Sequence, residues 1–162
     1  MKRIGLPVII IALLGAFVFW WFSPIQVLKR RSTSLLETLT LKDDSSKASR
    51  QMGVYSLNAL LSSEVELSST SIREANGTFE RSELESAFSW LCEQAKETRF
   101  ELQKIRSVKI DGDTATVELS LNAAVVLPSY RPADGGYDAT LTWENEENQW
   151  RLAKAVWSEA KK

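Results

Sequence analysis

The sequence predicts an α+β domain, a curved antiparallel sheet wrapped around helices, carried on one amino-terminal transmembrane helix. Three observations lead there: an uncharged, mainly apolar run from Ile4 to Phe22; an amphipathic segment bearing Leu84, Ala87, Phe88, Leu91 and Ala95; and strict apolar–polar alternation from Ala115 to Leu127. The 162 residues include seven Gly, four Pro and one Cys, which excludes collagenous, low-complexity and disulfide-scaffold classes. The divisions expected are an anchor over 1–24, one α+β domain over 25–158 and a short polar tail over 159–162.

At 1.5 Å per residue the nineteen residues from Ile4 to Phe22 reach roughly 28 Å as a helix, close to the hydrocarbon thickness of a bilayer. Leu14 lies mid-run, and Trp20, Trp21 and Phe22 close it where an aromatic belt would sit, before Ser23-Pro24 stops or kinks the helix. A cleaved secretory signal is the rival reading, since Lys2-Arg3 makes a basic start. The apolar run exceeds the usual signal core, however, and no small-x-small site follows it. Orientation is nearly a tie between Lys2-Arg3 and the cluster Lys29, Arg30 and Arg31. The second cluster lies seven or more residues past the apolar core, so the expectation is a cytoplasmic amino terminus at the inner membrane and a soluble domain on the extracytoplasmic side.

From Ile25 to Leu41, apolar residues at Val27, Leu28, Leu35, Leu36 and Leu39 predict a helix, broken over Lys42–Ser46. A second helix begins near Lys47 and places Ala48, Met52, Tyr55, Ala59 and Leu60 along one stripe. The stretch from Ser62 to Thr78, rich in Ser, Thr and Glu, reads as loop plus one short strand, with Asn76-Gly77 as a turn. Ser82 with Glu85 three residues on reads as a capping box opening the amphipathic helix.

Four long strands follow. Ala115, Val117, Leu119, Leu121, Ala123, Val125 and Leu127 share one face. Asp111-Gly112-Asp113 pairs that strand with a preceding one holding Phe100, Leu102, Val108 and Ile110. After the loop Pro128–Gly136, Tyr137, Ala139, Leu141 and Trp143 resume the alternation. A turn near Glu147-Asn148 returns the chain through Trp150, Leu152 and Val156. If that turn has two residues, Trp143 faces Leu152 and lies diagonal to Trp150.

Helices followed by a long antiparallel meander are the element order of the cone-shaped nuclear transport factor 2-like superfamily. Asn76-Gly77-Thr78-Phe79-Glu80-Arg81-Ser82-Glu83-Leu84 resembles that superfamily's turn into its third helix. Asp111 to Leu119 is similar to its central hairpin. Ala139 to Glu144 followed by Gln149 to Trp157 resembles its final hairpin, where a tryptophan follows a tight turn. The resemblance covers Val27 to Trp157 and, with the anchor, looks most like bacterial membrane-anchored members, whose function is largely unassigned. It implies a fold that hosts isomerases, cyclases, dehydratases, secretion components and protein-binding domains alike.

The chain contains no His, which removes the usual general base near pH 7 and the commonest zinc ligand. Outside the first 31 residues the net charge is −6, the wrong sign for a nucleic-acid partner. No cofactor is implied. Asp111 and Asp113 flank a turn glycine, and no metal is expected there. In the inward phase of the strands the polar exceptions are Lys104, Arg106 and Lys154. Either bulges turn them to solvent, or they form a cationic pocket mouth with Tyr137 as hydroxyl donor. Cys92 reads as a core residue. Trp90, off the apolar stripe of its helix, either covers the first helices or anchors a partner. Tyr130 and Arg131 are candidate partner contacts on their loop. The expected role is a non-catalytic protein-binding or assembly domain, with membrane lipid and a protein partner or second copy as its associates. A small-ligand sensor, or an isomerase-like enzyme using the concave face of the sheet, is the alternative.

Overall fold

The computed structural model describes residues 5–42, 46–72 and 75–160. Lys2, Arg3 and Ile4 of the expected anchor lie outside them. In chain order the elements are helix α1 (Gly5–Trp21), α2 (Pro24–Leu39) and α3 (Lys47–Asn58), strands β1 (Leu61–Ser69) and β2 (Gly77–Glu80), helix α4 (Arg81–Gln94), and strands β3 (Glu97–Asp111), β4 (Thr114–Val126), β5 (Ala133–Glu146) and β6 (Gln149–Glu159). The strands form one six-stranded sheet in the order β2-β1-β6-β5-β4-β3.

The seventeen residues of α1 carry no charge and, at 1.5 Å each, reach about 26 Å. Among the described residues no helix is long and apolar enough to cross a membrane. Phe22 and Ser23 break α1, and Pro24 opens α2 at its first position, where its missing N–H costs nothing. Leu28, Ser32, Leu35 and Leu36 are the buried face of α2, close to the stripe expected.

Two local expectations need correction. On α3 the predicted stripe points the wrong way: Ala48, Met52, Tyr55 and Ala59 are exposed, and of the five only Leu60 is buried. The helix docks instead through Gly53 and Leu57. Gly53 faces the Phe88 ring of α4, where a Cβ would come to 3.4 Å, a close van der Waals contact. At α4 the cap lies two residues earlier than predicted. Glu80 is the N-cap, its own N–H donating to the Glu83 carboxylate at 2.8 Å, while Glu85 accepts from the Asn58 side-chain amide across to α3. Both boxes have the same spacing, and the start of the helix is chosen by where β2 ends.

The three hairpins formed by β3 to β6 match the alternation, including a two-residue last turn in which Glu147 and Asn148 both have positive φ (51° and 64°), as a type I′ turn requires. Trp143 pairs with Leu152, as the two-residue turn demands. The sheet is mixed, however, and the antiparallel expectation fails at one seam. The segment read as mostly loop contains β1, nine residues long, paired antiparallel with β2 and parallel with β6. Its short alternation, Val65 and Leu67 among Ser and Glu, is interrupted by a bulge between Leu61 and Glu66, which hides the period.

Further bulges bend the sheet. Register shifts fall between Leu102 and Lys104, between Ile105 and Ser107, and opposite Thr142/Trp143 on β6. On β3 the first shift moves the inward phase onto Ile105, which pairs with Leu119, and the second moves it back to Val108, which pairs with Val117. On β6 the shift turns Lys154 and Val156 outward and Ala155 and Trp157 inward, correcting the expected position of Val156.

The resulting cup closes over α2 and α4. Phe88 (4% exposed), Leu119 (0%), Leu121 (7%), Leu141 (5%) and Trp143 (0%) fill its interior together with Leu28, Val65 and Val117. A clamp fixes its rim. Leu41 and Thr98 exchange backbone hydrogen bonds at 2.9 and 3.0 Å, the Thr98 hydroxyl donates to the Leu39 carbonyl, and the Phe100 N–H donates to the Thr40 hydroxyl at 3.1 Å. Cys92 is buried, as expected, and burial pushes its thiol above the usual range.

Trp143→Ala is expected to cost about 3–5 kcal/mol in urea unfolding, as for other large aromatic truncations in a packed core. Trp143→Phe should cost less than about 2 kcal/mol. The buried indole N–H has no partner among the described residues, so its removal also removes a desolvation penalty. A thiol reagent near pH 8 should modify Cys92 at least tenfold faster in unfolded than in folded protein, followed by mass spectrometry. The raised thiol pKa also fixes a sign: above about pH 9 the unfolded thiol ionises first, so the contribution of Cys92 to stability declines as pH rises further.

Candidate functional site

The concave face of the sheet, where a small-ligand site would lie, is occupied by side chains. Of the predicted pocket residues only Tyr137 faces it, buried at 7% exposure beside Leu121. The interior is otherwise apolar, with Ser32 Oγ and Trp143 Nε1 as isolated buried polar atoms that have no hydrogen-bond partner among the described residues.

The three cations grouped with Tyr137 lie on the opposite, outer face, because each follows a bulge. Lys104 is exposed and pairs in register with Ser120. Arg106 holds Asp138 at 3.1 Å, and Ser120 Oγ donates to the same carboxylate at 2.9 Å. Lys154 meets Glu66 of β1 at 2.8 Å. The cations therefore do not converge on a cavity. Arg106 and Lys154 sit in half-exposed cross-strand ion pairs of the kind that contribute up to about 1 kcal/mol each.

Trp90 is 54% exposed, which removes its expected role as a cover for the first helices. Tyr130 (61%) and Arg131 project from the β4–β5 loop. There the Leu127 N–H donates to the Tyr130 carbonyl at 3.0 Å and Arg131 meets Asp134 at 3.3 Å. On α1, Leu14 (58%), Trp20 (51%) and Trp21 (43%) are exposed, as is Phe22 (68%) just past its end.

Two open grooves flank α2. One, of about 620 Å³, runs between α2 and α3 past Glu37, Thr38, Arg50 and Met52. The other, of about 510 Å³, lies between the end of α2 and the start of β3. Arg50 is already committed there: its guanidinium donates to the carbonyls of Cys92 (2.7 Å), Ala95 (3.0 Å) and Lys42 (3.2 Å), closing the carboxy-terminal end of α4. Among the described residues no three His, Cys, Asp or Glu side chains gather as metal ligands.

One assembly escaped sequence reading. Arg31 of α2, Arg81 of α4 and Arg151 of β6 donate to the carbonyls of Ala59 (3.3 Å), Ser62 (3.0 Å) and Leu61 (3.3 Å) respectively, at the joint between α3 and β1. Glu146 is the acidic partner found among the described residues: it lies 3.6 Å from Arg151 and accepts from the Ser62 hydroxyl. Burial lowers the pKa of Arg31, and the neighbouring Arg151 charge lowers it further. Members 50 and 70 residues apart leave no local motif by which the group could have been found.

No protein-family model matches the chain, and no curated protein does. Solved structures do. A nuclear transport factor 2-like protein from Cytophaga hutchinsonii superposes with a TM-score of 0.65 at 14% identity, over 86% of this chain and 100% of that one. An uncharacterized protein with a cystatin-like fold from Caulobacter vibrioides gives 0.64 at 11% identity, over 85% and 89%. A nuclear transport factor 2-like superfamily protein from Salmonella enterica serovar Typhimurium gives 0.64 at 10% identity, over 85% and 91%. At these identities the likeness establishes architecture alone: the chain has the nuclear transport factor 2-like, or cystatin-like, cone fold.

Proposed function

We propose that this chain is a non-catalytic binding or assembly domain held at a membrane by α1, with its soluble part on the extracytoplasmic side. The observation that carries the first half is the filled cup. Catalysis on a concave face needs room for substrate and a positioned acid or base. Here Phe88, Leu119, Leu121, Leu141 and Trp143 occupy that room, and the cations that the pocket alternative would put at its mouth stand outside it. What remains for recognition is the surface, with Trp90, Tyr130 and Arg131 as contacts that bury on association.

Support for the membrane half is the character of α1. Large apolar side chains from Ile10 to Phe22 are exposed around the whole helix, a surface that water solvates poorly. Its 26 Å falls a few ångströms short of a typical hydrocarbon core, a mismatch that local thinning of the bilayer relieves at modest cost. Arg30 reaches back over Trp21, 4.6 Å from the ring, as an interfacial arginine does. Confinement to a surface raises local concentration and so favours weak assembly contacts.

Full-length protein extracted in mild detergent should behave on light scattering as a homodimer or as a stoichiometric complex with a second protein. A monodisperse monomer that captures nothing would end the assembly reading. A reporter enzyme active only outside the cytoplasm, fused after Lys162, should be active. The same fusion should stay in the pellet after alkaline carbonate extraction, and release into the supernatant would remove α1 as an inserted anchor.

A further inference from the structure

We infer that Arg31, Arg81 and Arg151 form a binding site for the phosphate of an anionic phospholipid headgroup, at the α3–β1 joint on the side of the domain that follows the membrane helix. The inference rests on the membrane reading of α1 and adds a ligand to it.

The convergence comes first. Three guanidinium groups from three elements donate to carbonyls within the four residues Ala59–Ser62, a stretch no longer than about 11 Å even if fully extended. Their commitments are unequal. Arg151 is used on three sides, by the Leu61 carbonyl, the Glu146 carboxylate and Gln149 Oε1. Arg31 and Arg81 each make one side-chain hydrogen bond among the described residues, which leaves four N–H donors on each. Glu146 is the carboxylate paired with these three guanidiniums among the described residues, in a chain that from Pro24 onward carries 18 basic against 21 acidic residues, a net charge of −3.

That arrangement is costly for an empty domain. The Arg151 charge repels that of Arg31, a half-buried arginine whose pKa is lowered first by burial and then by that neighbour. A phosphate group relieves it, because planar guanidiniums donate in pairs to phosphate oxygens and bind them more strongly than neutral donors do.

Position selects the lipid over a free anion. Arg31 lies seven residues after Pro24, about 10 Å along α2, and the headgroup layer outside the hydrocarbon is roughly 5–8 Å thick per leaflet. Lys29 and Arg30 precede it on the same turn, and Arg30 folds back onto Trp21 at the end of α1. The cationic cluster therefore stands one side-chain length from where phosphates would lie.

The test uses the full chain in nanodiscs of phosphatidylcholine alone and of phosphatidylcholine with 30% phosphatidylglycerol, with thermal unfolding followed by circular dichroism. Phosphatidylglycerol should raise Tm by a few degrees, as preferential binding to the folded state does. The shift should vanish in 0.5 M NaCl and in Arg31→Gln/Arg81→Gln, and persist in Lys104→Gln, which removes a charge from the outer face of the sheet. Equal Tm in the two discs, or a shift that survives the double substitution, would overturn the site. If 10 mM inorganic phosphate in phosphatidylcholine discs reproduces the whole shift, the site takes free phosphate and the lipid assignment falls. Entry into phosphatidylcholine discs judges α1 separately. A chain that enters neither disc but sediments with phosphatidylglycerol vesicles in an arginine-dependent way keeps the site and loses the anchor, and one that enters both without a shift keeps the anchor and loses the site.

Discussion

The apolar faces of the long strands can leave water only if the sheet bends around the helices, and the bend is made by bulges. A flat sheet would leave the ends of β3 and β4 uncovered by α2 and α4. Each bulge adds one residue to one strand, increases the local twist and shifts the phase of everything beyond it. Leu102/Lys104, Ile105/Ser107 and the shift opposite Thr142/Trp143 are therefore at once the origin of the cup and the rule for which side chains enter it.

Much of the molecule's chemistry follows from that constraint. Lys104, Arg106 and Lys154 would line the cup if the strands were regular, and a charged cup would bind an acidic ligand. The bulges turn all three to the outer face, where Arg106 pairs with Asp138 and Lys154 with Glu66, and give their places to Ile105, Ala155 and Trp157. The fold shared with the Cytophaga, Caulobacter and Salmonella proteins supplies the cone without prescribing what fills it. In this chain it is filled by its own aromatic and aliphatic side chains.

The joint and the rim act as the two fasteners of the cup. At the rim, Leu41 and Thr98 pair as an isolated bridge and fix the end of α2 to the outermost strand. At the joint, three arginines bind the carbonyls that carry the chain from α3 into β1, the strand that must reach across to pair in parallel with β6. Parallel pairing requires a long crossover, here everything from β2 to β5. The sheet therefore closes only after nearly the whole domain has been threaded, and the joint is where that closure is held.

Legibility of the sequence divides along the range of the forces involved. Local patterns determined the apolar first helix, the break at Ser23-Pro24, the stripe on α2, the alternation of β4 and β5, and the two-residue turn that places Trp143 against Leu152, because each follows from neighbours a few residues apart. The tertiary structure alone decided the rest. Which of two capping boxes of equal spacing starts α4 depends on where β2 ends. Which face of α3 is buried is decided by the packing of Leu57 and Gly53 against the core and Phe88. The two bulges of β3 cancel, so Val108 keeps the phase read from the sequence, while Lys104 and Arg106, between them, are turned outward, the outcome the bulge reading gave and alternation alone could not choose. A parallel seam between β1 and β6, and a cluster built from Arg31, Arg81 and Arg151, join residues 50 to 120 positions apart. Such contacts are chosen by the closure of the whole sheet, which no window of local sequence contains.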